Sequence, residues 1–192
     1  MDDSERTREE IFTAMGRCLH AWGFVELEIA NLFMILQGIR RDAYTHPMRA
    51  AFEAVIALPV RLAMIGAYVE ADRTLADYLP HVQPLKTKIR KQYEKRHEIA
   101  HALVAREMTP SGLKASLRPF VTMYGYSQKR GAQLSLDQIN DRTKAFNALA
   151  DRIRRHVQSV GAIRGLPADF YASPGEVAFT PLGPDDLVAH GK

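Results

Sequence analysis

The sequence predicts a mainly α-helical protein: four helices, with a small β insertion before the last. Two long stretches carry most of that expectation, because their apolar residues recur at alternating steps of three and four. The third observation is a single strong turn signal, Thr109-Pro110-Ser111-Gly112, flanked by short segments of strand length.

The first helix is expected from about Ser4 to Gly38. Ile11, Met15, Cys18, Trp22, Val25, Ile29, Leu32 and Leu36 fall on one stripe, and such a stripe is buried while the opposite face meets water. Its most apolar part, Phe24 to Ile39, is interrupted by Glu26, Glu28 and Asn31, which argues against a membrane span. Thr45 before His46-Pro47 suits a cap with proline in the first turn, opening a second helix. Pro59 has no amide donor and is expected to kink or split that helix.

A third helix is expected from about His81 to Val104, burying Val82, Leu85, Ile89 and Leu103. Leu103–Met108 and Leu113–Leu117 then read as a hairpin, and Phe120–Tyr126 as a further strand. Ser135 and Gln138 form a capping box. They start a last helix whose stripe is Leu136, Ile139, Phe146, Leu149, Ile153, Val157 and Val160. From Gly165 onward Pro and Gly punctuate the chain without a period. Residues 1–164 are therefore read as one helical domain and 165–192 as a tail.

Composition bounds the function loosely. Of 192 residues, 46% are hydrophobic and 25% charged, which is ordinary for a globular protein. The single cysteine, Cys18, rules out an internal disulfide framework and fits a reducing compartment. The acidic, polar start MDDSERTREE does not read as a secretory signal, so a cytoplasmic location is expected. The net charge of +4 is mild, and its distribution is more telling than its size.

The stretch RHEIAHALV, Arg96 to Val104, bears the chemistry. From His97 it spells H-E-x-x-H, in which two histidines one helical turn apart hold zinc and the glutamate activates a water. A third ligand is missing, however. Val104 and Glu107 stand where the extended motif needs glycine and histidine, and no Asp, Glu or His lies between Glu107 and Asp137. A zinc peptidase is thus the least favoured reading, and no metal or other cofactor is expected.

From Arg96 the same stretch spells R-x4-H. On a helix, Lys86, Arg90, Tyr93, His97 and His101 share one side. Between Leu79 and Tyr93 there is no acidic residue. Such a face suits a nucleic-acid strand, with Lys86 and Arg90 on phosphates and Tyr93 stacked on a base. A solvated helix face is the plainer alternative. Arg96 falls on the apolar side, in line with Ile89 and Leu103. A guanidinium there needs an acid or an interface, and Glu26 and Glu28 are the candidate partners.

These residues resemble the HEPN superfamily, helical bundles carrying R-x4–6-H near the end of the third helix. His97 after Arg96, Ala100 before His101, and the β excursion before a capped last helix all fit that resemblance. It covers roughly Ile11 to Val160. Many relatives carry asparagine after the arginine and glycine after the final histidine, where this chain has His97 and Ala102.

The resemblance implies a metal-independent endoribonuclease of toxin or defence type, with RNA as substrate and a cognate antitoxin or regulatory protein as a further partner. Arg96 and His101 would be catalytic and His97 a positioning group. It also implies a homodimer, for which the residues supply a reason. On an ideal helix Arg96 and His101 point about 140° apart, so two copies around a two-fold axis are needed to bring both to one cleft. A non-catalytic HEPN-like module that binds RNA, nucleotide or protein is the alternative reading.

Overall fold

A computed structural model describes residues 3–109, 112–119 and 133–172. Within them the chain is mainly helical, with one two-stranded antiparallel sheet. In chain order the elements are α1 (Asp3–Leu36), α2 (Pro47–Ala54), α3 (Leu58–Ala71), α4 (Leu79–Ala100), β1 (Ala102–Thr109), β2 (Gly112–Pro119) and α5 (Leu136–Ile163). Short 3-10 segments precede α4 at Arg73–Tyr78 and follow α5 at Ala168–Phe170. The chain gathers into two compact units. The first is Met1–Phe24 with Lys91–Ala148, the second Val25–Arg90 with Leu149–Lys192.

In the first unit, Ile11, Ala14, Cys18, Ala21 and Trp22 of α1 are buried, as are Ile139 and Phe146 of α5. Trp22 meets Phe146 edge to face at 5.2 Å, a geometry that the ring quadrupoles favour. The expected hairpin is present and pairs Ala102 with Pro119 through to Thr109 with Gly112. Leu117 of β2 is fully buried. Its amide and carbonyl both pair with Leu134, at 3.1 and 2.8 Å, tying the strand to the residue before the capping box. That box forms as expected: the Ser135 amide donates to Gln138 Oε1 at 2.9 Å, and the Gln138 amide to Ser135 Oγ at 3.3 Å. The expected strand at Phe120–Tyr126 lies outside the described residues.

One boundary differs from expectation. α4 stops at Ala100, not Val104, and His101 sits in a turn. Leu103 is therefore a strand residue and 53% exposed, not part of the helix's buried side. Cross-strand pairing with Arg118 captures it, and alternation along the strand turns it outward.

In the second unit, Val25, Ile29, Leu32 and Leu36 of α1 form a buried core with Leu62, Ile65 and Val69 of α3. Val82, Leu85 and Ile89 of α4, and Leu149, Ile153, Val157 and Val160 of α5, complete it. Each such side chain contributes about 1.5–3 kcal/mol by leaving water. Pro59 does split the expected second helix: α2 ends at Ala54, and Pro59 falls in the first turn of α3, where a missing donor costs nothing. The cap of α2 is His46, one residue later than expected from Thr45. Pro47 holds the residue before it extended, and His46 Nδ1 accepts from the Met48 amide at 3.2 Å.

The core of this unit also holds charge. Glu28, 1% exposed, accepts from Arg154 at 3.0 Å, from Arg41 at 3.5 Å and from Asn31 at 3.1 Å. Asn31 in turn accepts from the buried Arg49 at 3.1 Å. By length and composition α1 is apolar enough to cross a membrane, with a mean hydropathy of 1.4 in its best window, but 67% of that window is buried inside the protein. Together with the buried Glu28 and Asn31, this is the pattern of a core helix and is consistent with a soluble protein.

Tyr78 and His156 are buried together, hydroxyl to Nδ1 at 3.2 Å. Burial, then Arg152, His81 and Arg155, lower the His156 pKa to about 3. The folded state thus binds the proton far more weakly than the unfolded chain, whose imidazole titrates near 6.5. Stability should be full above pH 6.5 and fall as pH drops from there towards 3, by roughly 1.4 kcal/mol per pH unit at most. Urea unfolding midpoints measured between pH 7.5 and 4.5 should show this slope. His156→Gln should flatten it, whatever its cost at pH 7.5.

Candidate functional site

The end of α4 places Tyr93, Arg96 and His97 on the helix and His101 one residue beyond it. Ile99, fully buried, anchors this last turn. The His101 amide still donates to the His97 carbonyl at 3.1 Å, so the helical path persists to His101 although the helix has ended. As a result the two imidazoles stand side by side, ring centroids 4.2 Å apart and planes at 53°. Tyr93 lies 6.3 Å from His97 and 5.8 Å from Trp22. A ladder of rings therefore runs from the buried Trp22, through half-buried Tyr93 and His97, to the exposed His101.

Arg96 is half-buried, and its Nε is shielded from water with no hydrogen-bond partner. It makes no ion pair among the described residues, and its expected partners Glu26 and Glu28 belong to the second unit. Glu28 is held by Arg154 and Arg41 instead. A shielded guanidinium nitrogen without an acceptor is costly.

Glu98 behaves otherwise. Its carboxylate accepts from Arg142 of α5 at 2.7 Å, and the same guanidinium donates to the Lys95 carbonyl at 2.9 Å. Arg142 thus closes the helix end, where free carbonyls need donors. It also occupies the glutamate that an H-E-x-x-H site would use on water. Among the described residues no three His, Cys, Asp or Glu side chains stand together as a metal set.

Sequence reasoning missed Arg142. The signal was present, since Arg142 lies between Ile139 and Phe146 on the buried stripe of α5 at steps of three and four. A charge on an apolar stripe marks a paired or functional group. Tyr93 is also less free than expected, because it leans on Trp22.

Lys86 and Arg90 lie further back on α4, within the second unit, while Tyr93, Arg96, His97 and His101 belong to the first. Arg90 is exposed. Lys86 is half-buried and lies across Gly66 of α3, where a Cβ would meet its Nζ at 2.6 Å. The chain matches no known family model, no curated protein and no solved structure.

Burial, then the neighbouring His101 and Arg96, push the His97 imidazole below its ordinary value of 6.5. An NMR titration should find the His97 ring midpoint below 6.5. Removing either neighbour, by Arg96→Ala or His101→Ala, should move it upward. A His97 midpoint at or above 6.5 in the wild type would show that the three groups are not coupled.

Proposed function

We propose that the chain is a HEPN-like, metal-independent endoribonuclease that cuts RNA in a composite cleft built by two copies. The reading rests on the last turn of α4, which carries Arg96, without an ion pair among the described residues, and ends in the paired rings of His97 and the exposed His101. Cation, positioning imidazole and solvent-facing imidazole are the groups that phosphodiester cleavage by an internal 2′-hydroxyl requires.

In this reaction the RNA's own 2′-hydroxyl oxygen attacks the adjacent phosphorus and the bond to the 5′-oxygen breaks. His101 of one copy takes the hydroxyl proton, and His101 of the second copy gives a proton to the leaving oxygen. Histidine suits both tasks because it exchanges protons near neutral pH. Arg96 faces the charge that builds on the phosphorane-like transition state, where its planar fork binds two oxygens at once. His97, whose lowered pKa favours the neutral ring, orients the phosphate or the neighbouring imidazole. Lys86 and Arg90 hold the strand along α4.

His101→Ala should lower RNA cleavage by roughly 10²–10⁴-fold with the fold intact, and Arg96→Ala should suppress it as well. Cleavage should survive EDTA and leave a 2′,3′-cyclic phosphate, and RNA methylated at its 2′-hydroxyls should bind uncut. Full activity of His101→Ala in a metal-free assay, or cutting of the methylated RNA, sinks the mechanism. Binding without any cleavage by the wild type would mark a HEPN-like binding module instead.

A homodimer is required by this reading. Light scattering at tens of micromolar, an order-of-magnitude choice above ordinary dimer affinities, should report two chains. The shared face should include the end of α4 and bury more than about 1,000 Å². A strictly monomeric protein at that concentration counts against the composite cleft.

A further inference from the structure

His97 and His101 can also do chemistry that involves no RNA. Both belong to the first unit. The His101 amide donates to the His97 carbonyl at 3.1 Å, which fixes the two residues one helical turn apart. His97 is half-buried with its ring 6.3 Å from that of Tyr93, and Tyr93 in turn lies 5.8 Å from the buried Trp22. Packing therefore holds the inner imidazole, while the outer one, His101, is exposed. Among the described residues neither ring makes a hydrogen bond or an ion pair, and their centroids stand 4.2 Å apart. Each neutral imidazole keeps one nitrogen lone pair, so two uncommitted lone pairs lie within one turn.

Neutral imidazole is a common ligand of divalent transition metals. An ion about 2.0–2.1 Å from one nitrogen of each ring puts the centroids about 4.5 Å apart for a right angle at the metal, and about 5.2 Å for a tetrahedral one. The observed 4.2 Å is nearer the right angle, which is the angle between neighbouring ligands in tetragonal copper(II) and nickel(II) sites. A small rotation of the exposed His101 side chain closes the difference. Hydrolytic zinc chemistry does not follow from this, because the Glu98 carboxylate is taken by Arg142 at 2.7 Å. Among the described residues no third ligating side chain joins the pair, and Arg96, next in the chain, opposes a dication. Two neutral ligands beside a cation make an exchangeable site, not a cofactor cage.

We propose that His97 and His101 together chelate an exchangeable copper(II) or nickel(II) ion through one nitrogen of each ring. The pair acts as a unit: once one ring has bound the ion, the second contact is intramolecular and is favoured by its high effective concentration. Preorganisation adds to this, since the inner ring is already fixed against Tyr93. The site stands whether or not the protein cuts RNA. Its consequence for catalysis rests on the ribonuclease reading: an ion bound there occupies the lone pair through which His101 exchanges protons, so it silences cleavage.

Calorimetric titration of the full chain with nickel chloride tests the site in the absence of RNA, at about pH 7.5, where an ordinary imidazole is neutral. His97→Ala and His101→Ala should each bind nickel about ten-fold or more weakly, because either change removes the intramolecular second contact. His20→Ala deletes an exposed histidine elsewhere in the same unit and should bind within about two-fold of wild type. Magnesium, which prefers oxygen ligands, should bind far more weakly than nickel. In the wild type, substoichiometric copper(II) should broaden the imidazole NMR signals of His97 and His101 together, ahead of that of His20. If an alanine variant loses its helical circular dichroism, His101→Gln at the exposed position carries the same test. Unchanged nickel binding in either pair variant overturns the proposal, as does an equal loss in His20→Ala. Magnesium binding as tight as nickel, or broadening of only one ring of the pair, overturns it too.

Discussion

The second unit is organised around a carboxylate that water cannot reach. Glu28 sits in the middle of an apolar helix with 1% of its surface exposed, and an unpaired charge there would cost several kcal/mol. The surrounding chain is arranged to prevent that. Arg154 from α5, Arg41 from the segment after α1, and Asn31 one turn along each donate to it. Asn31 passes the constraint on to Arg49, which also donates to the Arg41 carbonyl at 2.9 Å. One buried negative charge thereby sets where α2 begins, where the loop before it runs and which face of α5 turns inward. Apolar packing alone tolerates sliding and rotation, whereas this network has one satisfied arrangement.

Arg142 has the corresponding role in the first unit, with the opposite charge. By holding Glu98 and the Lys95 carbonyl together, it determines how the last turn of α4 is presented. The two charged neighbours in the RHEIAH segment thus have separate fates. Glu98 is consumed by architecture, while the shielded Nε of Arg96 has no partner among the described residues.

Much of the fold was legible in the sequence where one physical signal acts alone. The stripes of α1 and α5 follow from periodicity, the hairpin from its turn residues, and the start of α5 from Ser135 and Gln138. Legibility failed where two signals competed. Leu103 continues the helical stripe of α4 and also begins a strand-like run, and cross-strand pairing won. Thr45 is the better capping residue by type, but Pro47 dictates the backbone of His46. The helical spacing was legible in the sequence, since the rings of Tyr93, His97 and His101 do follow one another along one side. Its supports were not. Glu28 and Asn31 read as interruptions of an apolar run, when they are the reason the run can be buried, and Arg142 was hidden in a stripe scanned only for apolar residues.

The hairpin follows His101 without a single intervening residue, since β1 opens at Ala102. A strand alternates its faces with a period of two, so the segment has parity as well as length. Val104 pairs with the buried Leu117, while Leu103 beside it faces outward. Losing one residue at the junction would therefore exchange the inner and outer faces of β1, or else swing His101 away from His97. Losing two would restore the faces and displace the imidazole by a strand repeat of about 6–7 Å. The junction therefore has a fixed length: side chains there can be exchanged, but a residue cannot be lost without a change of face or a displaced imidazole.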